Sequence, residues 1–369
     1  MRKANRLFIT LVIVVTSSFA SAQNIFSGFE HLFKPVRSYV VFQAVSDIGI
    51  DGKMNEASWE KAAWTEVFFD IEGEKMPKPL HQTRVKMLWD KENLYILAEL
   101  QEPHVWAYYE KRDLIVFEEN DFEIFIDPNG DSQNYFEIEI NAQNTIFDLF
   151  MPQPYRDGGV PLIAWNTPGL KSAVFVDGTL NNAADTDRKW TVEMAVPFEA
   201  FKLGTASQTP VDNQIWRINF SRVQWNTEIK DGVYKRKTDQ VTGRILPEFN
   251  WVWSPQGVVN MHFPERWGMI QFSTKPVDGD KVDFKKLTGN EPENYLWLAY
   301  YRQKKYQDEN GKYAAALSEI LIPESVKSTT NGIIKLELVA THHQFMLFLI
   351  TENGTKMSVT ENGLIRKFK

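Results

Sequence analysis

The chain has 369 residues, a net charge of −7 and no cysteine. The lack of cysteine excludes disulfides, thiolate metal sites, thiol nucleophiles and a lipid-modified amino-terminal cysteine, and the acidic balance argues against nucleic-acid binding. Aromatic residues make up 13% of the chain and include 12 tryptophans, which is enough to ask whether some of them face a ligand.

The first residues have the pattern of an export signal. Three basic side chains within residues 2–6 precede an apolar run at 7–15, and an Ala-Ser-Ala cleavage site at 20–22 stands before Gln23. We therefore predict a signal peptide over residues 1–22. The apolar run is too short to span a bilayer comfortably, and no later run is long enough. The mature protein is expected to be periplasmic or extracellular and to have no membrane span; an uncleaved membrane anchor is the alternative.

The long middle part of the chain reads as short strands separated by turn signals. The predicted strands span residues 39–42, 83–89, 94–100, 121–127, 135–141, 146–150, 172–176, 189–196, 216–221 and 268–272. One helix is predicted at 55–63, and 196–201 reads as a strand that leads into a helical turn. Many strands at this spacing indicate a mainly β fold, and we predict a β-sandwich domain over residues 38–274.

The composition changes after residue 274. Residues 275–280 have the character of a linker, and a helical pattern follows at 292–307, with a second short helix predicted at 312–321. Strands at 333–338 and 344–350 and later Asn-Gly turns complete the pattern. These features predict a small α+β carboxy-terminal region over residues 281–369.

Two strands near the centre of the chain, 121–127 and 135–141, are joined by turn residues and predict a hairpin. Their apolar residues alternate with Asp121, Glu123, Glu137, Glu139 and Asn141. In the expected register Glu123 lies directly across from Glu139. Because facing like charges destabilise a ladder, we expect this acidic face to be wet, or to hold a ligand or a cation.

Several motifs occur in a characteristic order along the predicted sandwich: IDGKMNEASW at 50–59, VKMLWD at 85–90 with LYI at 94–96, NDFEIFID at 120–127, WTVE at 190–193 with VPF at 196–198, and WVWS at 251–254. With these motifs, the segment from about 48 to 273 resembles the carbohydrate-binding module family 9 domain. The additional motifs PHVW at 103–106 and NFSR at 219–222 bring it closer to family-9-like exported bacterial proteins.

This resemblance implies a β-sandwich that holds a sugar between two aromatic rings. By position, the second ring falls on Trp253 and the first falls near Phe117, where the characterised modules have tryptophan. An aromatic ring covers the C–H face of a sugar. Trp253 stands beside turn residues 254–257, so the sequence predicts it at the rim of the sandwich.

The resemblance also implies polar side chains that bond the sugar hydroxyls. Glu123 falls on a carboxylate position and Asn141 on an amide position, whereas Glu139 stands where the family has a sugar-binding arginine. Carboxylates and amides accept hydrogen bonds from hydroxyls. Arg222 is predicted either to clamp an acidic sugar or to neutralise the carboxylates.

The hairpin turn offers a candidate metal site. Asp127, Asn129 and Asp131 supply oxygen atoms at alternate positions, as hard calcium sites do. The turn is not an EF-hand loop, because Ser132 and Ile138 stand where that motif has glycine and glutamate. A structural calcium ion is one interpretation and a simple Asp/Asn/Gly turn is the other.

The sequence therefore predicts an exported carbohydrate-binding protein that acts in polysaccharide breakdown. One alternative is a glycoside hydrolase that uses Glu123 and Glu139, since paired carboxylates are the usual catalytic groups of such enzymes. Another is a structural or interaction protein with a non-binding sandwich, in which the carboxy-terminal region contacts a protein partner.

Overall fold

The computed structural model describes residues 24–203, 209–285, 290–328 and 330–368. The predicted signal peptide at 1–22 lies outside the described residues. The helices are α1 (Ala57–Lys61) and α2 (Asn290–Asn310). The strands, in chain order, are β1 (Ser38–Gln43), β2 (Phe69–Asp70), β3 (Thr83–Trp89), β4 (Asn93–Gln101), β5 (Asp121–Asp127), β6 (Tyr135–Asn141), β7 (Ile146–Met151), β8 (Lys171–Asp177), β9 (Lys189–Pro197), β10 (Ile215–Gln224), β11 (Thr227–Lys230), β12 (Val233–Arg236), β13 (Phe249–Val252), β14 (Gly268–Pro276), β15 (Ser325–Lys327), β16 (Ile333–Ala340), β17 (Phe345–Thr351), β18 (Lys356–Thr360) and β19 (Ile365–Phe368).

A sheet of twelve strands forms the larger part of the molecule. Ten of them are hydrogen-bonded in the order β7-β6-β5-β10-β14-β1-β3-β4-β9-β8, while β13 pairs with β10 and β2 pairs with β13. The sheet curls so that apolar residues of β5, β6, β10 and β14 pack against those of β3, β4 and β9 in one core. This packing of two layers confirms the predicted mainly β fold and the β-sandwich.

The two layers are joined through β1. This strand pairs in parallel with β14 on one side, and two of its residues pair in parallel with β3 on the other. Its Val41 is fully buried in the main core. The sandwich is therefore one continuous hydrogen-bonded sheet that folds over itself.

Most predicted strands coincide with observed ones, and β3, β5 and β6 have the predicted bounds. The predicted helix at 312–321 is wrong: the only helical element there is the 3-10 helix Leu317–Ile320. The Glu319 carboxylate accepts hydrogen bonds from the amides of Ala315 and Ala316, and the Ala314 amide donates to Gln303 of α2. Side chains thus satisfy amides that a helix would have used.

The carboxy-terminal region packs α2 against a five-stranded antiparallel sheet, in the order β15 to β19, around its own apolar core. It also contacts the sandwich through α2. Tyr301 donates a hydrogen bond of 2.6 Å to Glu265, and Tyr300 donates one of 2.6 Å to Asp157. Lys304 lies 2.9 Å from the same Asp157 carboxylate. Charged and phenolic groups therefore attach this region to the sandwich.

Among the described residues, α2 is the longest helix, and no helix combines the length and apolar character that crossing a membrane requires.

Candidate functional site

The acidic hairpin has the predicted register. Glu123 pairs with Glu139 across the ladder, and Asp121 pairs with Asn141. The alternate apolar residues, Phe122 among them, point into the main core. The carboxylates therefore share the opposite face of β5 and β6, as the alternation of side chains predicts.

The expectation that this face is wet is wrong. Asp121 is fully buried, and Glu123, Glu137 and Glu139 are 5%, 4% and 2% exposed. A second apolar cluster covers the same face, because the 3-10 helix Val116–Glu118 contacts β6 and later loop residues pack against the hairpin. Its members are Ile71, Val116, Phe125, Tyr135, Phe147, Leu149, Met151, Val252, Met261 and Trp267.

Burial changes the ionisation of the first strand's acids. It raises the pKa of Glu123 to about 7, although the Ser221 hydroxyl opposes this shift. Burial also holds the pKa of Asp121 well above its usual range, and the nearby charge of Glu123 adds to the effect. A buried carboxylate is disfavoured in its charged form. Protonation of one of these acids therefore removes the cost of burying its charge and the repulsion from its neighbours.

The acids of the second strand behave in the same way. Burial, followed by the charge of Glu123, raises the pKa of Glu137 to about 8. Burial, Glu123 and Glu137 together hold the pKa of Glu139 well above its usual range. His262 brings no positive charge to Glu137, although their side chains lie 3.8 Å apart, because burial lowers the pKa of His262 to about 4. Burial and mutual repulsion therefore favour protonated forms of the side chains in this acidic cluster.

Phe117 lies at the margin of this cluster, and its predicted role as a sugar-stacking ring stays a prediction. It belongs to the 3-10 helix Val116–Glu118 and is 41% exposed. Its amide donates a hydrogen bond of 3.1 Å to Glu139, and its carbonyl accepts one of 2.9 Å from the Trp225 indole. The backbone of Phe117 is thus anchored on both sides while its ring reaches solvent.

Trp253 does not lie at the rim. It is fully buried in the main core, and its indole nitrogen lies 3.3 Å from a Glu66 carboxylate oxygen. The reason is strand alternation: Trp251 points into the core, Val252 points to the acidic face, and Trp253 returns to the core. The predicted rim position of Trp253 rested on the neighbouring turn residues and did not take this two-residue alternation into account.

Asn141 lies at the end of the acidic face but is occupied by the fold. Its side-chain amide donates to the Tyr109 carbonyl and to Glu119, at 2.9 Å and 3.0 Å. Its side-chain oxygen accepts from the amides of Gln143 and Thr145, each at 2.9 Å. These contacts hold two loops in place, and its predicted contact with a sugar hydroxyl stays a prediction.

Arg222 lies on the opposite side of the sheet from the acidic cluster. It shares the core-facing side of β10 with Phe220, and its guanidinium lies 2.8 Å from Glu102. It also donates to the Gln101 carbonyl and the Thr83 hydroxyl. Of the two predicted roles, neutralising the hairpin carboxylates is therefore wrong, and the guanidinium that would clamp an acidic sugar is paired inside the protein.

The turn residues proposed as calcium ligands bond to their own loop. The two Asp127 oxygens accept hydrogen bonds of 2.8 Å from the amides of Gly130 and Ser132. Asp131 accepts from the Asn129 side chain at 2.7 Å. These contacts are those of an Asx-type turn, and calcium at this turn stays a prediction.

A second exposed ring near the cluster was missed. Tyr155 lies in the loop after β7 and is 45% exposed. Its ring centroid lies 4.4 Å from that of His262. Burial and then the charges of Glu137 and Glu139 raise its pKa to about 12. The sequence around Tyr155 has no strand alternation or motif that could have indicated this position.

Comparison with known proteins gives a family match. Residues 50–239 match the family described as carbohydrate family 9 binding domain-like. This match covers more than half of the chain. No curated protein matches the chain.

Solved structures give distant matches. A Bacteroides uniformis protein, provisionally described as carbohydrate-binding, is 15% identical and has a TM-score of 0.45, covering 65% of this chain and 100% of its own. A carbohydrate binding module family 9 from Caldicellulosiruptor kristjanssonii in complex with cellotriose is 14% identical, with a TM-score of 0.37 and coverage of 67% and 100%. The corresponding glucose complex is 15% identical, with a TM-score of 0.38 and coverage of 66% and 100%.

Proposed function

Because this chain belongs to the carbohydrate family 9 binding domain-like family, we propose that it binds a saccharide at the margin of the acidic hairpin. Phe117 and Tyr155 are the stacking rings. The observation that carries the proposal is that both rings are exposed, that the Phe117 amide donates to Glu139, and that the charge of Glu139 also acts on the Tyr155 phenol. Exposed aromatic rings beside polar groups match the two surfaces of a sugar, its C–H face and its hydroxyl rim.

Polar groups near Phe117 supply the hydrogen bonds. The Glu118 carboxylate is partly exposed and accepts a hydrogen bond from the Tyr109 phenol. Arg236 is also partly exposed and lies 4.6 Å above the ring of Trp225, whose indole donates to Phe117. The buried acids lie beneath this surface. We therefore assign the direct contacts with sugar hydroxyls to the partly exposed side chains of Glu118 and Arg236.

Calorimetric titration of the mature protein with a panel of mono-, oligo- and polysaccharides tests the proposal. Replacing Phe117 or Tyr155 by alanine should weaken binding at least tenfold, which corresponds to about 1.4 kcal/mol. Phe175→Ala is the matched control, because Phe175 is 37% exposed on β8, which pairs with neither strand of the hairpin. It should bind like the wild type.

Two results would contradict this assignment. If no saccharide binds, the family membership does not extend to ligand binding in this chain. If Phe175→Ala weakens binding as much as Phe117→Ala, the ligand lies elsewhere. Release of reducing ends during the titration, lost in Glu123→Gln, would instead support the hydrolase.

We further propose that the protein is exported and that sugar binding serves polysaccharide breakdown. The proposal of export rests on the sequence pattern of residues 1–22. Expression of the full chain in a bacterial host, followed by fractionation and amino-terminal sequencing, should find a mature protein outside the cytoplasm that begins at Gln23. A protein retained in the cytoplasm with residues 1–22 intact would contradict it.

A further inference from the structure

A cavity of about 250 Å³ lies between the sandwich and the carboxy-terminal region. Arg217 of β10 and Arg266 of the 3-10 helix Pro264–Arg266 line it from the sandwich, and Trp297 of α2 lines it from the other region. Pockets for small ligands usually have volumes of at least about 300 Å³. This cavity is slightly smaller, so it can hold a small molecule or one ionic group of a larger one.

The charges that line this cavity do not balance one another. The charged lining residues are Lys34, Arg217, Arg266, Glu265 and Glu293. Glu265 lies 2.9 Å from Arg156, and Glu293 lies 2.7 Å from Lys367, so both carboxylates already have cationic partners. In the part of the chain that the structure describes, none of the three lining cations forms an ion pair. The lining therefore has positive charge that these side chains leave without a partner.

Arg266 is buried although its charge has no partner. The residue is 6% exposed and lines the cavity. Its Nε atom donates to the Gln256 carbonyl at 3.4 Å, which is longer than the usual upper limit of about 3.2 Å. Its two Nη atoms donate to no group among the residues that the structure describes. Because buried charged groups are nearly always paired, a guanidinium with free Nη atoms at a cavity points to an anionic ligand.

Arg217 supplies a second cation beside Arg266. It is half-buried, and its Nη1 atom donates to the carbonyls of Glu265 and Trp267, at 3.0 Å and 3.4 Å. These bonds hold its guanidinium against the segment that carries Arg266. Burial lowers the pKa of Arg266; Tyr301 and Glu265 oppose this shift, and the charge of Arg217 adds to it. The two guanidinium groups therefore repel each other, and an anion bound to both would compensate the repulsion.

We propose that Arg266 and Arg217 bind the oxyanion group of a small ligand, a carboxylate, phosphate or sulfate, in the cavity between the sandwich and α2. A guanidinium presents its N–H donors in a planar fork that matches two oxygen atoms of such a group. Trp297 gives the cavity an apolar wall for the rest of the ligand. Neither Phe117 nor Tyr155 lines this cavity, so the inference does not depend on whether a sugar binds at the hairpin.

Calorimetric titration of the mature protein with sodium sulfate, sodium phosphate and sodium glucuronate tests the proposal. The ionic strength is held constant with NaCl, so that general screening does not change between titrations. At least one of the three anions should bind at a single site, and Arg266→Met should weaken that binding at least tenfold. Tighter binding of glucuronate would identify the group as a carboxylate, and tighter binding of phosphate or sulfate would identify a tetrahedral oxyanion.

Arg188→Met is the matched control, because it makes the same chemical change at an exposed arginine that pairs with Asp177 and does not line the cavity. It should bind the anion like the wild type. Phe117→Ala should do so too, which separates this cavity from the proposed sugar site. Three results would overturn the proposal: wild type that binds none of the anions, Arg266→Met that keeps the wild-type affinity, or either control variant that loses it.

Hydrogen exchange of the wild type with and without the bound anion keeps the proposal testable should Arg266→Met fail to fold. Slower exchange in the amides of residues 264–269 and 293–301, which border the cavity, is the expected result. Slower exchange confined to other parts of the chain would also overturn the assignment.

Discussion

The ring of Trp253 lies directly against Gly268, the first residue of β14. A Cβ atom placed at position 268 would stand 2.4 Å from Cζ3 of Trp253 and 2.9 Å from its Cε3 and Cη2 atoms. Atoms cannot approach so closely, and the indole is fully enclosed by the core. The bare backbone of Gly268 thus makes the space that the tryptophan fills.

Gly268→Ala should therefore destabilise the protein by about 1–3 kcal/mol, the usual cost of overpacking a core. Urea denaturation measures this change. Gly49→Ala is the control, because a Cβ there would meet only the Glu56 carboxylate at 3.5 Å, an ordinary contact; it should change the free energy of unfolding by less than about 0.5 kcal/mol. Equal stability of the two variants would show that the ring can move aside.

Trp253→Ala should act on stability. Removing a buried tryptophan costs about 3–5 kcal/mol because it leaves a cavity. Phe117→Ala, whose ring is 41% exposed, should cost less than about 1 kcal/mol while it weakens sugar binding. Chemical denaturation and calorimetric titration of both variants separate the two effects. A Trp253→Ala protein of wild-type stability that no longer binds sugar would instead return Trp253 to the binding site.

Arg222→Ala should destabilise the sandwich by about 3–5 kcal/mol, because it leaves the Glu102 carboxylate buried without a partner. Changing both residues, as in Arg222→Met with Glu102→Leu, should recover much of this loss. Arg188→Ala removes an ion pair to Asp177 that is open to solvent and should unfold close to the wild-type denaturant midpoint. Wild-type stability of Arg222→Ala would mean that the loop carrying Glu102 relaxes freely.

His262 should make the protein less stable as the pH falls from 6.5 to 4. Burial lowers its pKa from 6.5 to about 4, with a further contribution from Arg156. Between these values the unfolded chain takes up a proton that the folded chain refuses, so stability present above pH 6.5 is lost on acidification, by about 3 kcal/mol in all. The groups that face the imidazole, besides Arg156, are Tyr135, Tyr155 and Glu137.

The measurement is the free energy of unfolding of wild type and His262→Asn at several pH values. The difference between the two proteins isolates the histidine, because buried carboxylates with raised pKa values contribute a slope of opposite sign to both. The difference should change by the expected amount between pH 6.5 and 4 and stay constant above pH 7. A constant difference over the whole range would contradict the assignment.

Local sequence patterns identified the hairpin because each of its strands alternates without interruption. The pairing of Glu123 with Glu139 follows from that alternation and the turn between the strands, and it is confirmed. The same rule applied to β10 would have placed Arg222 beside Phe220 in the core, and applied to 251–253 it would have placed Trp253 there too. These two errors came from giving neighbouring turn and charge signals more weight than strand period.

The burial of the acids could not be deduced in this way. The residues that cover them, such as Val116, Met261 and Trp267, come from separate parts of the chain and meet only in the folded structure. Tyr155 likewise reaches the cluster from a loop without periodic pattern. Whether a polar strand face is exposed to solvent or covered depends on such distant segments. Alternation therefore predicts which side chains share a face, but it does not predict whether that face is buried.

The parallel pairing of β1 with β14 has a consequence for the order of folding. β1 is synthesised before any other strand of the large sheet, yet its main partner is the last strand of that sheet, so their contact closes a loop that encloses almost all of the sandwich. Contacts of such long sequence separation slow folding. The ladder between β1 and β14 cannot be complete until residue 276 has been synthesised. The sheet of this chain is therefore completed only when the segments at both ends of the sandwich are present together.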